Sequence, residues 1–160
     1  MGNELQTIEK RPDISVADVS KHGYVTVRVH KQLFGIPVMH VQDVLRAQKI
    51  YTVPLSPAEI AGSINLRGRI VTVIDVKKRL GLPPFEDTDR VMHVVVESQG
   101  EPFSLMVDEV GDVLTLTPER IEKTPSNLQA NWRGITTGVC RLDQELLLIV
   151  DIQAILTFSE

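Results

Sequence analysis

The chain has 160 residues, enough for one domain or for two small subdomains that share a hydrophobic core. A net charge of −4 argues against a nucleic-acid-binding protein that works by neutralising phosphates. The single cysteine excludes an intrachain disulfide and fits a reducing, cytoplasmic compartment, and the longest apolar run, 146–150, is far below the roughly 20 residues of a membrane helix, so no membrane insertion is expected.

The N-terminal part is polar up to residue 22 and is interpreted as a mobile leader ahead of a single domain over 23–160. Alternating apolar residues predict a strand over 24–30 and a second over 33–38. A helical turn is expected over 40–44, followed by a strand at 50–53. A proline-rich stretch then predicts another helical turn at 57–60.

Residues 62–82 are the most informative stretch and predict a β-hairpin followed at once by a short helix. Gly68 can adopt the positive φ of the tight turn between Arg67 and Arg69. Asp75 can cap the helix that follows, and Gly81 can end it. The two arginines at the tip could form an anion site, but taken alone they favour the simpler interpretation of a solvated hairpin tip.

The second half of the chain again predicts mostly short strands. A proline- and acid-rich connector covers 83–89, a bend is expected at 108–112, a helical turn at 117–119, and a long polar loop at 125–133 holds the only tryptophan. Asp151 is expected to cap a last helix that runs to residue 156. The predicted strands are 91–97, 103–107, 113–116, 135–142 and 145–150.

The two halves resemble each other, which indicates an internal repeat. A shift of 69 (103 − 34) aligns 34–38 with 103–107, and a shift of 76 (151 − 75) aligns Asp75 with Asp151. Short strands and frequent turns favour an all-β fold of two small five-stranded barrels, with approximate subdomains 23–82 and 88–157. Chance similarity between two β-rich halves is the alternative.

The two repeated hairpins carry opposite charges at their tips. The first tip is Arg67-Gly68-Arg69, and the second is Asp143-Gln144-Glu145. If both tips are exposed, the pattern is typical of a protein held between two unlike neighbours, or joined end to end in a chain or ring.

No cluster of residues suited to catalysis is visible in the sequence. None of the four histidines has the spacing of a zinc site, and Cys140 lies in an alternating strand as a small buried hydrophobe would. The acids of 108–112 lack EF-hand spacing and are interpreted as solvated turn carboxylates. We therefore expect a binding module without catalytic residues, metal or cofactor. The alternative, a small β-barrel enzyme or ligand-binding protein, requires a pocket that gathers histidines, Cys140 and acids.

Residues 34–38, 41–44 and 62–76, including N-L-R-G at 65–68 and I-D at 74–75, resemble the CheW family of chemotaxis coupling proteins. The resemblance covers about residues 23–157. It implies two SH3-like barrels on a shared hydrophobic core, and a cytoplasmic adaptor without enzymatic activity. Such adaptors couple methyl-accepting chemoreceptors to the histidine kinase CheA in ring-forming arrays at the membrane. A CheW-like module that serves a different signalling kinase is a near alternative, which the sequence does not separate.

The resemblance also implies which residues bind the receptor or the kinase. Gly62 and Arg67 match the family's coupling hairpin, and Val41 and Asp43 match a segment implicated in partner contact. Val110, the repeat equivalent of Val41, is expected to add apolar area to a groove between the barrels. Position 43 is Asp where the family often has Glu, so an ion pair there must be set closer. Position 72 is Thr where proline is usual, which restores a backbone donor to its strand.

Overall fold

The computed structural model describes residues 16–157, which form ten strands, four short α-helices and two 3₁₀ turns. The helices are α1 (Val16–His22), α2 (Val76–Arg79), α3 (Ala130–Arg133) and α4 (Ile152–Ile155), and the 3₁₀ turns are Val38–His40 and Pro118–Arg120. The strands of the first half are β1 (Gly23–Val29), β2 (Gln32–Pro37), β3 (Val41–Leu45), β4 (Ile60–Leu66) and β5 (Arg69–Asp75). Those of the second half are β6 (Met92–Ser98), β7 (Glu101–Val107), β8 (Glu109–Thr115), β9 (Thr136–Arg141) and β10 (Leu146–Val150).

The ten strands form two five-stranded sheets, as the fold class predicted. Sheet I has the order β8-β1-β2-β10-β9, and sheet II has the order β3-β6-β7-β5-β4. Each sheet contains one parallel pair, β2 with β10 in sheet I and β5 with β7 in sheet II, among otherwise antiparallel neighbours. No helix within residues 16–157 combines the length and the apolar character needed to cross a bilayer.

The internal repeat is present in the strand pairing, but the two sheets do not coincide with the two predicted subdomains, 23–82 and 88–157. Each sheet takes its first two repeat strands from one half and its other three from the other half. Phe34 pairs with Leu148 in sheet I, and Phe103 pairs with Thr72 in sheet II. These pairs are repeat equivalents (34 + 69 = 103; 72 + 76 = 148). Sequence periodicity marks the strands, but it does not specify which distant strands pair, because pairing is a non-local property.

The core is shared between the sheets. One cluster of buried side chains includes Val27 and Phe34 from sheet I, Val94 and Leu105 from sheet II, and apolar residues of α2 and α4. Each sheet also covers a cluster of its own, which in sheet I includes Cys140, buried as a small hydrophobe. Because burial of apolar surface contributes roughly 25 cal/mol per Å² to stability, this shared cluster supplies the main stabilisation between the two sheets.

Several local predictions are confirmed. Asp75 caps α2 by accepting a hydrogen bond from the Lys78 amide (3.0 Å), and Asp151 caps α4 in the same way from the Ala154 amide (3.1 Å). Gly81 has a φ of 71° and follows Leu80, the C-cap of α2, as expected for a residue that ends a helix. The predicted turn at 117–119 is observed as the 3₁₀ turn Pro118–Arg120.

Other local predictions are wrong. The spacing of apolar residues in 40–44 suggested a helical turn, but most of this stretch is strand β3, because pairing with β6 overrides local preference. The segment 50–53 forms only an isolated bridge, and 108–112 is mostly strand β8 instead of a bend.

The predicted leader lies outside the described residues up to residue 15, while 16–22 form α1, whose His22 carbonyl accepts the Leu116 amide (2.9 Å).

Candidate functional site

The β4–β5 hairpin holds Arg67 at its tip in a defined conformation. Arg67 and Gly68 have positive φ values of 51° and 85°, the combination found in type I′ turns, whose twist matches that of the flanking strands. The Asn65 side chain accepts a hydrogen bond from the Gly68 amide (3.0 Å) and closes the turn. The arginine is therefore presented by a rigid hairpin end.

Arg67 forms an ion pair with Asp43, on strand β3. Arg67 Nη2 lies 2.9 Å from Asp43 Oδ2, and Asp43 Oδ1 accepts the Val44 amide (2.8 Å). The Arg67 side chain is nevertheless 74% exposed. A guanidinium has five N–H donors, so most of those on Arg67 remain available to a partner's carboxylate or carbonyl. The structure thus brings together two of the predicted residues, with Arg67 exposed and Asp43 partly buried.

The ion pair lines a groove at this end of sheet II, here called the hairpin groove, which is bordered by Gln42, Asp43, Leu66, Arg67, Arg69, Val71 and Pro102. Gln42 at its edge donates to Glu97 Oε1 (2.8 Å). The exposed apolar side chains of Val44 and Ile70 belong to the strands that form the groove. The site combines charge with apolar area, which suits protein recognition.

Val41 and Val110 occupy equivalent positions in the two sheets. Val41 lies on β3, two residues before Asp43, and Val110 lies on β8 of sheet I opposite Val27. Both side chains are half-buried against the shared core. Val41 therefore adjoins the hairpin groove along its strand, whereas Val110 belongs to the other sheet.

Gly62 is buried within β4 and has a structural role that the sequence did not reveal. Its φ is 148°, and a Cβ atom there would lie 2.3 Å from the Tyr51 carbonyl oxygen. Tyr51 exchanges two backbone hydrogen bonds of 2.8 Å with Ser63, which attaches the segment before β4 to that strand. Gly62 therefore influences any contact indirectly, by allowing this segment to approach.

A buried lysine joins elements that are far apart in the sequence. Lys77 Nζ lies 3.2 Å from Asp108 Oδ1 and 4.4 Å from the centre of the Phe85 ring. Asp108 Oδ2 accepts the His30 amide (2.8 Å). The β1–β2 turn, α2 and the 83–89 connector thus meet around the Lys77–Asp108 ion pair. Because no sequence spacing relates these residues, only the fold reveals the cluster.

The groups considered for catalysis lie apart. His93 is buried in sheet II, where its Nδ1 is 2.8 Å from Ser104 Oγ, and burial holds its pKa below the ordinary value. Cys140 is buried in sheet I. The groove beside Lys77 contains His30 with several acids but neither of these residues. Within residues 16–157, no group of three or more His, Cys, Asp or Glu side chains is placed to hold a metal ion.

Comparisons with known proteins agree with this architecture. A family model described as the CheW-like domain matches residues 23–160. The chain is 32% identical over 132 residues to the chemotaxis protein CheW of Bacillus subtilis, covering 82% of this chain and 85% of that protein. It is 30% identical over 136 residues to a probable chemotaxis protein CheW of Rhizobium etli, covering 85% and 88%.

A solved structure shows the same fold. The scaffolding protein TtCheW from Thermoanaerobacter tengcongensis superposes with a TM-score of 0.73 at 29% identity, covering 81% of this chain and 88% of that one. The family match, the relatives and the shared fold agree with the two repeated sheets. The chain belongs to the CheW-like family, whose members are non-catalytic chemotaxis adaptors.

Proposed function

We propose that this protein couples methyl-accepting chemoreceptors to the histidine kinase CheA, in the cytoplasm and within ring-forming arrays at the membrane. The observation that carries the proposal is the exposed Arg67 held by Asp43 at the end of sheet II. An arginine fixed by a rigid turn and an ion pair loses little conformational freedom on binding, which favours recognition of a carboxylate on a partner.

The proposed mechanism is scaffolding without chemistry. A helical receptor tip lays its apolar face into a groove between the two sheets, which is distinct from the hairpin groove. There it packs against the half-buried valines Val41 and Val110 in a helix-in-groove contact. Asp43 and Arg67 set the register and the choice of partner. Kinase activity then depends on the fixed geometry in which the adaptor holds its two partners.

The first test replaces Arg67 by glutamate. Purified protein is mixed with CheA and receptor-bearing membranes, and binding and kinase activity are measured. Arg67→Glu should remove most receptor-coupled kinase activation while lowering the free energy of unfolding by about 1 kcal/mol or less, since an exposed ion pair contributes little to stability. Arg141→Glu is the matched control, because Arg141 is 75% exposed and pairs with Glu122 at 3.2 Å in the other sheet. An unchanged coupled rate in Arg67→Glu would remove Arg67 from the mechanism.

A charge swap separates two roles of the ion pair. Asp43→Arg combined with Arg67→Asp rebuilds the pair with reversed polarity. If the pair only orders the hairpin, the double variant should recover kinase coupling. Recognition of a partner's carboxylate by Arg67 predicts that it stays inactive. Wild-type protein that is folded but binds neither CheA nor receptors would overturn the proposed function.

A further inference from the structure

The two halves of the chain cross from one sheet edge to the other in the same way. In sheet II, Tyr51 bridges to Ser63 on β4, and in sheet I, Glu122 bridges to Val139 on β9. Each bridge lies against a glycine, Gly62 or Gly138, which are repeat equivalents (62 + 76 = 138). The residues around each bridge are therefore corresponding parts of the repeat.

Beyond these bridges the two segments behave differently. The segment after Glu122 turns inward, so that Leu128 and Trp132 pack on the shared core and Trp132 stacks on Phe34 with ring centres 5.3 Å apart. The segment after Tyr51 turns outward. Val53 is 44% exposed and the Leu55 side chain is fully exposed.

Leu55 has an unfavourable backbone conformation. Its φ is 61°, the left-handed region, which costs a leucine roughly 1 kcal/mol or more. Local hydrogen bonds nonetheless order this part of the chain. Ser56 Oγ donates to the Val53 carbonyl (2.8 Å), and the Ile60 amide donates to the Pro57 carbonyl (3.0 Å). A strained, fully exposed leucine on an ordered loop is typical of an anchor that is buried only in a complex.

The charge around this loop indicates the chemistry of its partner. Between Asp43 and Glu59 the only charged residues are Arg46 and Lys49, in a chain whose net charge is −4. Lys49 Nζ lies 5.3 Å from the centre of the exposed Tyr51 ring. A basic, apolar surface complements an apolar pocket with acidic residues at its rim. Two cations on an acidic protein supply too little attraction for an anionic membrane, where clusters of about four to eight are usual.

We propose that the loop of residues 51–55, here called the Leu55 loop, is a protein-docking surface separate from the hairpin groove, and that Leu55 inserts into an acid-rimmed apolar pocket on a partner protein. The inference rests on the proposed function, because the partner belongs to the assembly that the adaptor joins. It assigns a binding role to a part of the chain that the resemblance did not mark.

The test uses two substitutions that separate binding from folding. Leu55→Asn removes the apolar anchor but suits a positive φ, so its stability should equal or exceed that of the wild type. Leu55→Met keeps the apolar volume and is the matched control. Binding of the full chain to purified CheA and, separately, to receptor-bearing membranes is measured at low and moderate salt. Vesicles of phosphatidylethanolamine and phosphatidylglycerol without protein serve as the lipid probe.

The expected result is a loss of about tenfold or more in affinity for one of the two partners in Leu55→Asn, with near wild-type binding in Leu55→Met. Lys49→Glu should weaken the same partner, and more so at low salt. Wild-type affinity for both partners in Leu55→Asn would overturn the inference and leave the proposed function standing. Failure of the wild type to bind either partner would overturn both, and Leu55-dependent binding to protein-free vesicles would replace the protein partner by a lipid surface.

Discussion

Sheets I and II are built to one plan and differ at their hairpin ends. Both have the same order of repeat strands, both end in a short helix capped by an aspartate, and both receive a crossing segment against a glycine. At the tips, Arg67 and Asp43 of sheet II correspond to Asp143 and Asp112 of sheet I, by the shifts of 76 and 69. An ion pair in one sheet is thus replaced by two carboxylates in the other.

A second charged pair is reversed between the sheets. In sheet I, Arg28 binds Glu145 through two hydrogen bonds of 3.0 and 2.8 Å. The equivalent positions in sheet II are Glu97 and Arg69 (28 + 69 = 97; 69 + 76 = 145). Glu97 is engaged by Gln42 instead, and no hydrogen bond or ion pair among residues 16–157 engages the Arg69 side chain. The core positions have kept the repeat while the exposed ends have diverged, which is where different partners would be distinguished.

The largest expected difference in stability between the two sheets follows from substituting their equivalent glycines, Gly62 and Gly138. Gly62→Ala should cost about 3 kcal/mol, because the new Cβ would collide with the Tyr51 carbonyl and the φ of 148° disfavours alanine. Gly138→Ala should cost less, about 1 to 2 kcal/mol, since its φ is not positive and its Cβ would lie 2.9 Å from a side-chain methyl of Ile121 and 3.0 Å from the Glu122 carbonyl oxygen. Urea unfolding of both variants checks the order. Equal losses would show that the crossing segments are held equally tightly.

The next effect belongs to sheet II alone. His93 is buried and burial lowers its pKa in the folded protein, so the unfolded chain binds the proton more readily. Stability should be fully present above the unfolded pKa of roughly 6.5 and should fall as the pH drops below it towards the folded pKa. His93→Phe should flatten this part of the pH dependence, measured by urea unfolding between pH 7.5 and 5.5. An equally steep loss in the variant would assign the effect to another group.

Much of the fold could be predicted because it is encoded locally. The alternation of apolar residues marks β1 and β2, the aspartate caps lie at Asp75 and Asp151, and the turn residues mark the β4–β5 hairpin. The repeat even gave the correct register, since Phe34 and Phe103 occupy equivalent places in their sheets. Apart from the repeat, each of these signals involves residues close together in the chain.

The remaining features depend on contacts between distant segments. Nothing local distinguishes β3 from a helical turn, and its strand conformation follows from pairing with β6. The exchange of strands between the halves is likewise set by non-local pairing. For the candidate site, Asp43 and Arg67 could be proposed from the family resemblance, but their ion pair required the fold. The exposure of Leu55 was invisible in the sequence, because an apolar residue between prolines is equally typical of a buried turn.

Substituting the capping aspartates should have a smaller effect on stability, and the same effect in both sheets. Asp75→Ala and Asp151→Ala should each lower the free energy of unfolding by about 1 kcal/mol, because each leaves a helix amide without its partner. Asp→Asn at either position should lose only a few tenths of that, since asparagine is an equally good cap. Denaturant unfolding of the four variants provides the measurement. A loss at one cap only would mean that the two sheets do not use these equivalent residues equally.

The smallest effect concerns the reversed pair. Arg28→Glu should cost about 1 kcal/mol or less, because the pair is more than a third exposed and screened by water, and the double variant Arg28→Glu with Glu145→Arg should recover most of that loss. The hydrogen bond from Arg28 lowers the pKa of Glu145, so the pair's contribution is present above roughly pH 4.5 and is lost on further acidification. A double-mutant cycle in low salt measures the recovery. If the swap is tolerated, sheet I accepts either order of the two charges at positions 28 and 145. The opposite order, Glu97 and Arg69 in sheet II, is then not required for folding and is available for partner recognition. A swap that stays destabilised would instead mean that sheet I itself requires the arginine on β1.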